Sequence, residues 1–131
     1  MQDYHRLKVW EKSHLLAMDV HRVAGTFPRL EGVALVGQLR RAALSIPANI
    51  AEGAGKAGNT EFRRFLNIAL GSAAETHYHL LIARDLGLLE PAIYDDLAVR
   101  TTEVRRMLSG LIRKVASTIG SSAAPAPERT H

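Results

Sequence analysis

Apolar residues recur along this chain at intervals of three and four, in four long stretches. Between about residues 6 and 26, Val9, Leu16, Val20, Val23 and Phe27 hold that spacing, with Trp10, Ala17 and Ala24 beside them. The spacing lines up side chains on one face of an α-helix. Pro28 ends this first predicted helix, because the residue before a proline avoids helical backbone angles. A third stretch, 60–86, carries Phe62, Leu66, Ala69, Ala73, Thr76, Leu80 and Ala83 in alternating steps of four and three, a heptad-like seam. The small residues of Gly-Ser-Ala-Ala (71–74) thin its middle, so a neighbouring helix can come close, and Gly87 closes it. The fourth stretch, 91–119, repeats the seam with Leu97, Thr101, Val104, Leu108, Leu111 and Val115. Pro91 suits its first turn, and Asp95 and Asp96 suit the positive end of its dipole.

The second stretch, 33–54, is of another kind. Leu35, Leu39, Ala42, Ala43, Ile46 and Ile50 form one face, but Val36, Leu44, Ala48 and Ala51 make the flanks apolar too. Only a narrow stripe of Gln38, Arg41, Ser45, Asn49 and Glu52 is polar. A helix apolar over so much of its circumference is buried on more than one side. The loop Gly-Ala-Gly-Lys-Ala-Gly-Asn (53–59) ends it, its glycines permitting positive φ, and Asn59 or Thr60 is placed to cap the next helix.

Four long amphipathic helices with short connections predict an all-α fold, an antiparallel up-down four-helix bundle spanning 1–119. The Gly/Ser/Ala/Pro-rich segment 120–131 reads as a disordered C-terminal tail. Composition agrees: aromatic residues are only 5% of the chain, which favours close-packed helices with aliphatic, alanine-rich cores over a β-sandwich. The absence of cysteine removes disulfides and thiolate chemistry and suits a reducing cytoplasm. No basic-then-apolar leader and no membrane-length apolar run is expected, so the reading is a cytoplasmic protein without a membrane partner.

Charge changes the picture through its distribution. The net charge of +4 permits polyanion binding without requiring it. Residues 97–119 hold Arg100, Arg105, Arg106, Arg113 and Lys114 against Glu103 alone, whereas 65–96 are acidic. Arg106 and Arg113 lie seven apart and share a helix face, which fits a strip that tracks phosphates; cations complementing a helix C-terminus are the structural alternative. Lys56, Arg63 and Arg64 gather at a helix N-terminus, an anion-friendly place, although Gly-Ala-Gly-Lys (53–56) is not a Walker motif. With so few aromatics, contacts would be to the backbone of a nucleic acid and not to stacked bases.

Pro47 stands inside the second helix, where proline costs about 3 kcal/mol. It reads either as a kink that shapes an assembly contact or as one that only improves packing, with Ser45 and Asn49 able to satisfy freed backbone groups. Arg41 lies on the polar stripe; Arg40, about 100° round the helix, lies on an apolar flank and calls for an acidic partner such as Glu52, Glu75 or a residue of a second chain. Six histidines raise the question of a metal, but the spacings of di-iron bundles and zinc proteases are missing. No nucleophile or paired-carboxylate constellation is present either, so the chain reads as non-enzymatic, with no cofactor and no metal site.

The strings Leu-Lys-Val-Trp-Glu-Lys-Ser-His-Leu-Leu-Ala (7–17), Phe-Pro-Arg-Leu-Glu (27–31), Gln-Leu-Arg-Arg-Ala-Ala-Leu-Ser-Ile-Pro-Ala-Asn-Ile-Ala-Glu-Gly-Ala-Gly-Lys (38–56) and Glu-Phe-Arg-Arg-Phe-Leu-Asn-Ile-Ala-Leu-Gly-Ser-Ala-Ala-Glu (61–75) resemble the four-helix bundle family of 23S rRNA intervening-sequence proteins, which includes accessory proteins of diversity-generating retroelements. The resemblance covers about residues 3–90 by motif. It implies a ring-like homo-oligomer, a pentamer, with a basic surface able to bind RNA or DNA, or a scaffold serving a protein partner such as a reverse transcriptase. Val33-Ala34 and the histidine-rich Glu-Thr-His-Tyr-His-Leu (75–80) depart from the family pattern. The expected nucleic-acid contacts are Arg41, Lys56, Arg63, Arg64, Arg105, Arg106, Arg113 and Lys114. Arg40, Pro47, Ile46 and Ile50 are the expected subunit-contact or kink residues.

Overall fold

The structure, a computed structural model, describes residues 3–122. A single 3₁₀ turn, Tyr4–Arg6, leads into four helices: α1 (Lys8–Ala24), α2 (Arg29–Ala54), α3 (Asn59–Asp85) and α4 (Pro91–Ser122). Each helix packs on the next in the chain, and α1 returns against α4 along the thinnest of the four seams. The directions alternate. Lys12 pairs with Glu103 at 3.3 Å and Asp19 with Arg100 at 2.9 Å, so α1 and α4 run antiparallel and two ion pairs cross their seam.

The predicted seams form the core. Leu16 of α1, Leu39, Ile46 and Ile50 of α2, Leu66 and Leu80 of α3, and Leu97 and Leu108 of α4 are fully buried. Each such side chain contributes about 1.5–3 kcal/mol through burial. The two seam threonines are buried as well, and their hydroxyls are satisfied within their own helices: Thr76 Oγ1 donates to the Ser72 carbonyl at 2.8 Å and Thr101 Oγ1 to the Leu97 carbonyl at 2.7 Å. A threonine that bonds back four residues therefore occupies an aliphatic position without an orphaned donor.

Helix α2 comes closest to α3 at its C-terminal end. A Cβ added to Gly53 would stand 2.7 Å from the Cβ of Phe65, so this position is glycine for contact. One level along, Ser45 Oγ and Ser72 Oγ share a hydrogen bond of 2.8 Å. Asn49 Nδ2 supports it, donating to Ser45 Oγ at 2.9 Å and to the Ser45 carbonyl at 2.8 Å. Of the thin stretch 71–74, Ser72 and Ala73 are buried as expected, but Gly71 and Ala74 are exposed.

Helix boundaries differ from expectation in instructive ways. Helix α2 begins directly after Pro28, whose extended backbone (φ −61°, ψ 135°) serves as its N-cap; proline here opens a helix, and α1 has already ended at Ala24. Helix α3 is preceded by Gly58 at φ 92°, with no side-chain cap, so neither Asn59 nor Thr60 plays the capping part. Gly87 (φ 77°) closes α3 by a Schellman arrangement: Leu88 N–H reaches the Ala83 carbonyl at 2.9 Å and Gly87 N–H the Arg84 carbonyl at 3.0 Å. Helix α4 runs three residues past its predicted end, and of the expected tail, residues 123–131 lie outside the described residues. Among the described residues no helix is long and apolar enough to cross a membrane.

Candidate nucleic-acid interface

Helices α3 and α4 leave an open trough between their outer faces. Its main groove, of about 610 Å³, is floored by Leu70, Gly71 and Ala74 of α3 and edged by Arg105, Arg106 and Arg113 of α4. Asn67, Thr102 and Ser109 add neutral polar groups, and no carboxylate lines it. Asn67 also belongs to a second groove of about 510 Å³ that carries Arg63 and Arg64. At the other end, Thr102 and Arg106 continue into a third groove of about 560 Å³ with His77 and Glu103. The antiparallel packing thus brings the start of α3 and the second half of α4 onto one face. Five of the eight expected contact residues, Arg63, Arg64, Arg105, Arg106 and Arg113, share this continuous surface.

The cations along it are unequally committed. Arg106 and Arg113 are exposed and have no carboxylate within ion-pair distance among the described residues. Arg105 is half-buried, and its Nη1 lies 3.4 Å from His77 Nδ1. Arginine has only donors, so in this contact His77 Nδ1 accepts and the imidazole proton sits on Nε2. Arg64 is engaged by Glu61 through two hydrogen bonds of 3.2 and 3.3 Å, and its guanidinium lies over the Phe65 ring at 4.6 Å. These bonds hold the Glu61 carboxyl below the usual carboxylate range and push the Arg64 guanidinium up. Arg63, its neighbour, has no such acid among the described residues. Lys56 stands 4.0 Å from Glu52 and 5.6 Å from the centre of the same Phe65 ring, and lines none of these three grooves. Lys114 is exposed but lines none of these three grooves, and Arg41 is exposed on α2.

The residues expected at subunit contacts are placed differently. Ile46, Ile50 and Pro47 are buried within the single chain, the two isoleucines completely, which takes them out of any surface a second copy could touch. Around the middle of α2, Arg41, Leu44 and Ala48 are the residues left exposed, with Val33, Ala34, Gly37 and Gln38 exposed nearer its start. Helix α2 continues through Pro47 to Ala54, and the Asn49 amide serves the Ser45 carbonyl beside the gap, not the Ala43 carbonyl that proline leaves without its N–H. Arg40 finds no acid among the described residues. Its Nε and Nη2 donate to the His21 carbonyl at 3.1 and 2.8 Å. The other free carbonyls of α1 are served locally: Arg22 by Gly25 N–H, Val23 by the Thr26 N–H and hydroxyl, and Ala24 by Phe27 N–H. An arginine of α2 therefore completes the C-terminus of α1, a partner that charge patterning could not reveal because a carbonyl leaves no mark in sequence.

Sequence reasoning missed Asn67, Thr102 and Ser109 as neutral polar parts of the trough, and His77 as the partner of Arg105. The histidines do not assemble: among the described residues, no three His, Cys, Asp or Glu side chains come together as a metal would need. His14 stacks on Trp10, ring centres 5.0 Å apart, and buried His79 has no partner for its Nδ1.

Comparison with known proteins adds three findings. The family model described as 23S rRNA-intervening sequence protein matches residues 5–110, a span that stops within α4 before Arg113 and Lys114. A crystal structure from Bacteroides thetaiotaomicron, of a protein with unknown function from the S23 ribosomal protein family, is 28% identical to this chain. It covers 80% of this chain and 98% of that one, with a TM-score of 0.74. No curated protein matches the chain significantly.

Proposed function

This chain belongs to the 23S rRNA-intervening sequence protein family, and from that premise we propose that it is a non-enzymatic, oligomeric accessory protein of the cytoplasm that binds nucleic acid through backbone phosphates with low sequence specificity. One observation carries the reading: Arg63, Arg64, Arg105, Arg106 and Arg113, drawn from distant parts of the sequence, line one connected trough whose main groove contains no carboxylate. Three of these arginines, Arg63, Arg106 and Arg113, are spent on no other side-chain partner among the described residues. Cations held free of acids and beside neutral hydrogen-bonding groups suit phosphate oxygens, and they carry no base-reading geometry. Arg41, Lys56 and Lys114 would extend the field beyond the trough.

A titration of the purified chain against duplex DNA and structured RNA at two salt concentrations tests the reading. Affinity that falls steeply with salt, and that is lost on charge reversal at Arg105/Arg106 and at Arg63/Arg64, supports it. No binding at low salt to these or to a single strand overturns it.

A second reading, an interaction scaffold in ring form serving a protein partner such as a reverse transcriptase, is favoured by a different surface. Leu44 of α2 is 39% exposed, and Ala48 lies open on the same flank of the helix. This apolar flank, with Arg41 beside it, is where another copy of the chain would sit. Sedimentation of wild type against Leu44→Glu separates the two: a monomer at micromolar concentration for wild type sinks the ring.

A further inference from the structure

We infer that the α3–α4 trough takes a single phosphodiester strand with its backbone turned inward, and that Gly71 is the residue that gives the strand its room. The inference rests on the nucleic-acid reading above and adds which form of nucleic acid is held and what determines the choice.

Gly71 is unexplained by its fold. It lies within α3 with an ordinary negative φ, since Gly58 and Gly87 are the positive-φ residues. A Cβ placed there would meet nothing within 4 Å, unlike Gly53, where contact with Phe65 accounts for the glycine. Glycine inside a helix is destabilising relative to alanine, so neither backbone nor packing favours it. What Gly71 does is floor the trough, with Ala74 one turn on. Gly37 is as unconstrained but floors no groove beside arginines.

The dimensions select the ligand. Packed helices have axes about 8–10 Å apart, and the furrow between two of them is far narrower than a nucleic-acid duplex. A duplex would ride on the rims, touching Arg106 and Arg113 and leaving the floor empty. A single strand can descend to the floor, where Asn67, Thr102 and Ser109 offer neutral donors and acceptors between the cations. No aromatic ring lines the main groove, so nothing stacks the bases there and the phosphates are the part that faces in. Side chains added to the floor would exclude the strand while leaving every arginine in place.

The test uses the full chain and fluorescence anisotropy at one low salt concentration, with labelled oligo(dT), oligo(U) and a duplex of equal length. Gly71→Leu is compared with wild type and with Gly37→Leu, and folding is followed by circular dichroism. Gly71→Leu is expected to weaken both single strands at least tenfold, to change duplex binding less than threefold, and to keep its helix content; Gly37→Leu is expected to bind as wild type does. Equal loss on oligo(dT) and oligo(U) makes the phosphodiester the recognised group, and loss on one alone overturns a purely backbone-directed contact by assigning the sugar or the thymine methyl a part in it. If Gly71→Leu does not fold, Ala74→Leu, at an exposed position of the same floor, takes its place. A folded floor variant that binds single strands as wild type does overturns the inference and leaves the nucleic-acid reading standing. A wild type that binds none of the three probes overturns both.

Discussion

Arg40 donates two hydrogen bonds, of 3.1 and 2.8 Å, to the carbonyl oxygen of His21, so that a side chain of α2 finishes the last turn of α1. The guanidinium reaches it over Gly25, where a Cβ would stand 2.9 Å from Arg40 Nη2. A charged donor on a helix C-terminus satisfies an orphan carbonyl and complements the dipole together.

Arg40→Ala is therefore expected to lower stability by about 1 kcal/mol, the size of a partly exposed charged hydrogen bond at a helix end. Arg40→Lys should recover only part of it, because an ammonium cannot present the two-pronged donor. Urea denaturation of the three proteins measures the difference, and an unchanged midpoint for Arg40→Ala would remove the arginine from the account of α1.

The same substitution should have opposite effects at two glycines. Gly53→Ala drives a Cβ to 2.7 Å from the Cβ of Phe65, an atom that cannot swing aside, so α2 and α3 must part. The expected loss is about 1–3 kcal/mol, the usual range for overpacking. Gly71→Ala meets open space and should gain about 0.5–1 kcal/mol from better helix propensity. Denaturant midpoints of the pair, measured together, check the signs.

Salt dependence should report the trough residue by residue. Each phosphate contact removed lowers the slope of log affinity against log salt by about 0.7–0.9. Arg106→Ala and Arg113→Ala are expected to show that change; Lys114→Ala, exposed but outside the grooves, a smaller one. Equal effects at all three would describe a diffuse basic surface.

The α1–α4 seam should weaken in acid. Asp19 is hydrogen-bonded by Arg22 and by Arg100, and these bonds hold its carboxyl below the ordinary value of 3.8. A carboxyl lowered in the folded state adds stability that is complete above the unfolded value and fades as pH falls below it, disappearing once pH passes the folded value. Wild type is thus more stable than Asp19→Asn at neutral pH, and the two should converge below about pH 3.8, the ordinary value from which the shift begins. Because Asp3 and Glu61 are lowered too, and by their own partners His5 and Arg64, the difference between the two proteins is the quantity to follow.

The seams were legible because burial imposes the helical period: Leu66, Thr76, Leu80, Thr101 and Leu108 sit where three-and-four spacing puts them. The ends were not. Helix α2 starts at Arg29, ahead of its apolar stripe, and α4 continues to Ser122, past the last residue of its predicted seam, Val115. The face shared by Arg106 and Arg113 could be read from their separation alone. Their junction with Arg63 through Asn67 could not, since it depends on how α3 and α4 are aligned, and alignment is a property of two helices together.

The Ser45–Ser72 hydrogen bond bears on that alignment. Seams rich in alanine and leucine are smooth, and a smooth seam tolerates many offsets almost equally well. Ser72 is flanked by Gly71 and Ala73, with Ala74 beyond, so a shift of α3 by one or two residues in that direction sets the Ser45 hydroxyl against a residue that cannot answer it. Such offsets forfeit the hydroxyl–hydroxyl bond between the helices, leaving Ser45 with its Asn49 contact alone, and are disfavoured by that amount. A pair of hydroxyls thereby chooses among bundles that the aliphatic core alone could not tell apart.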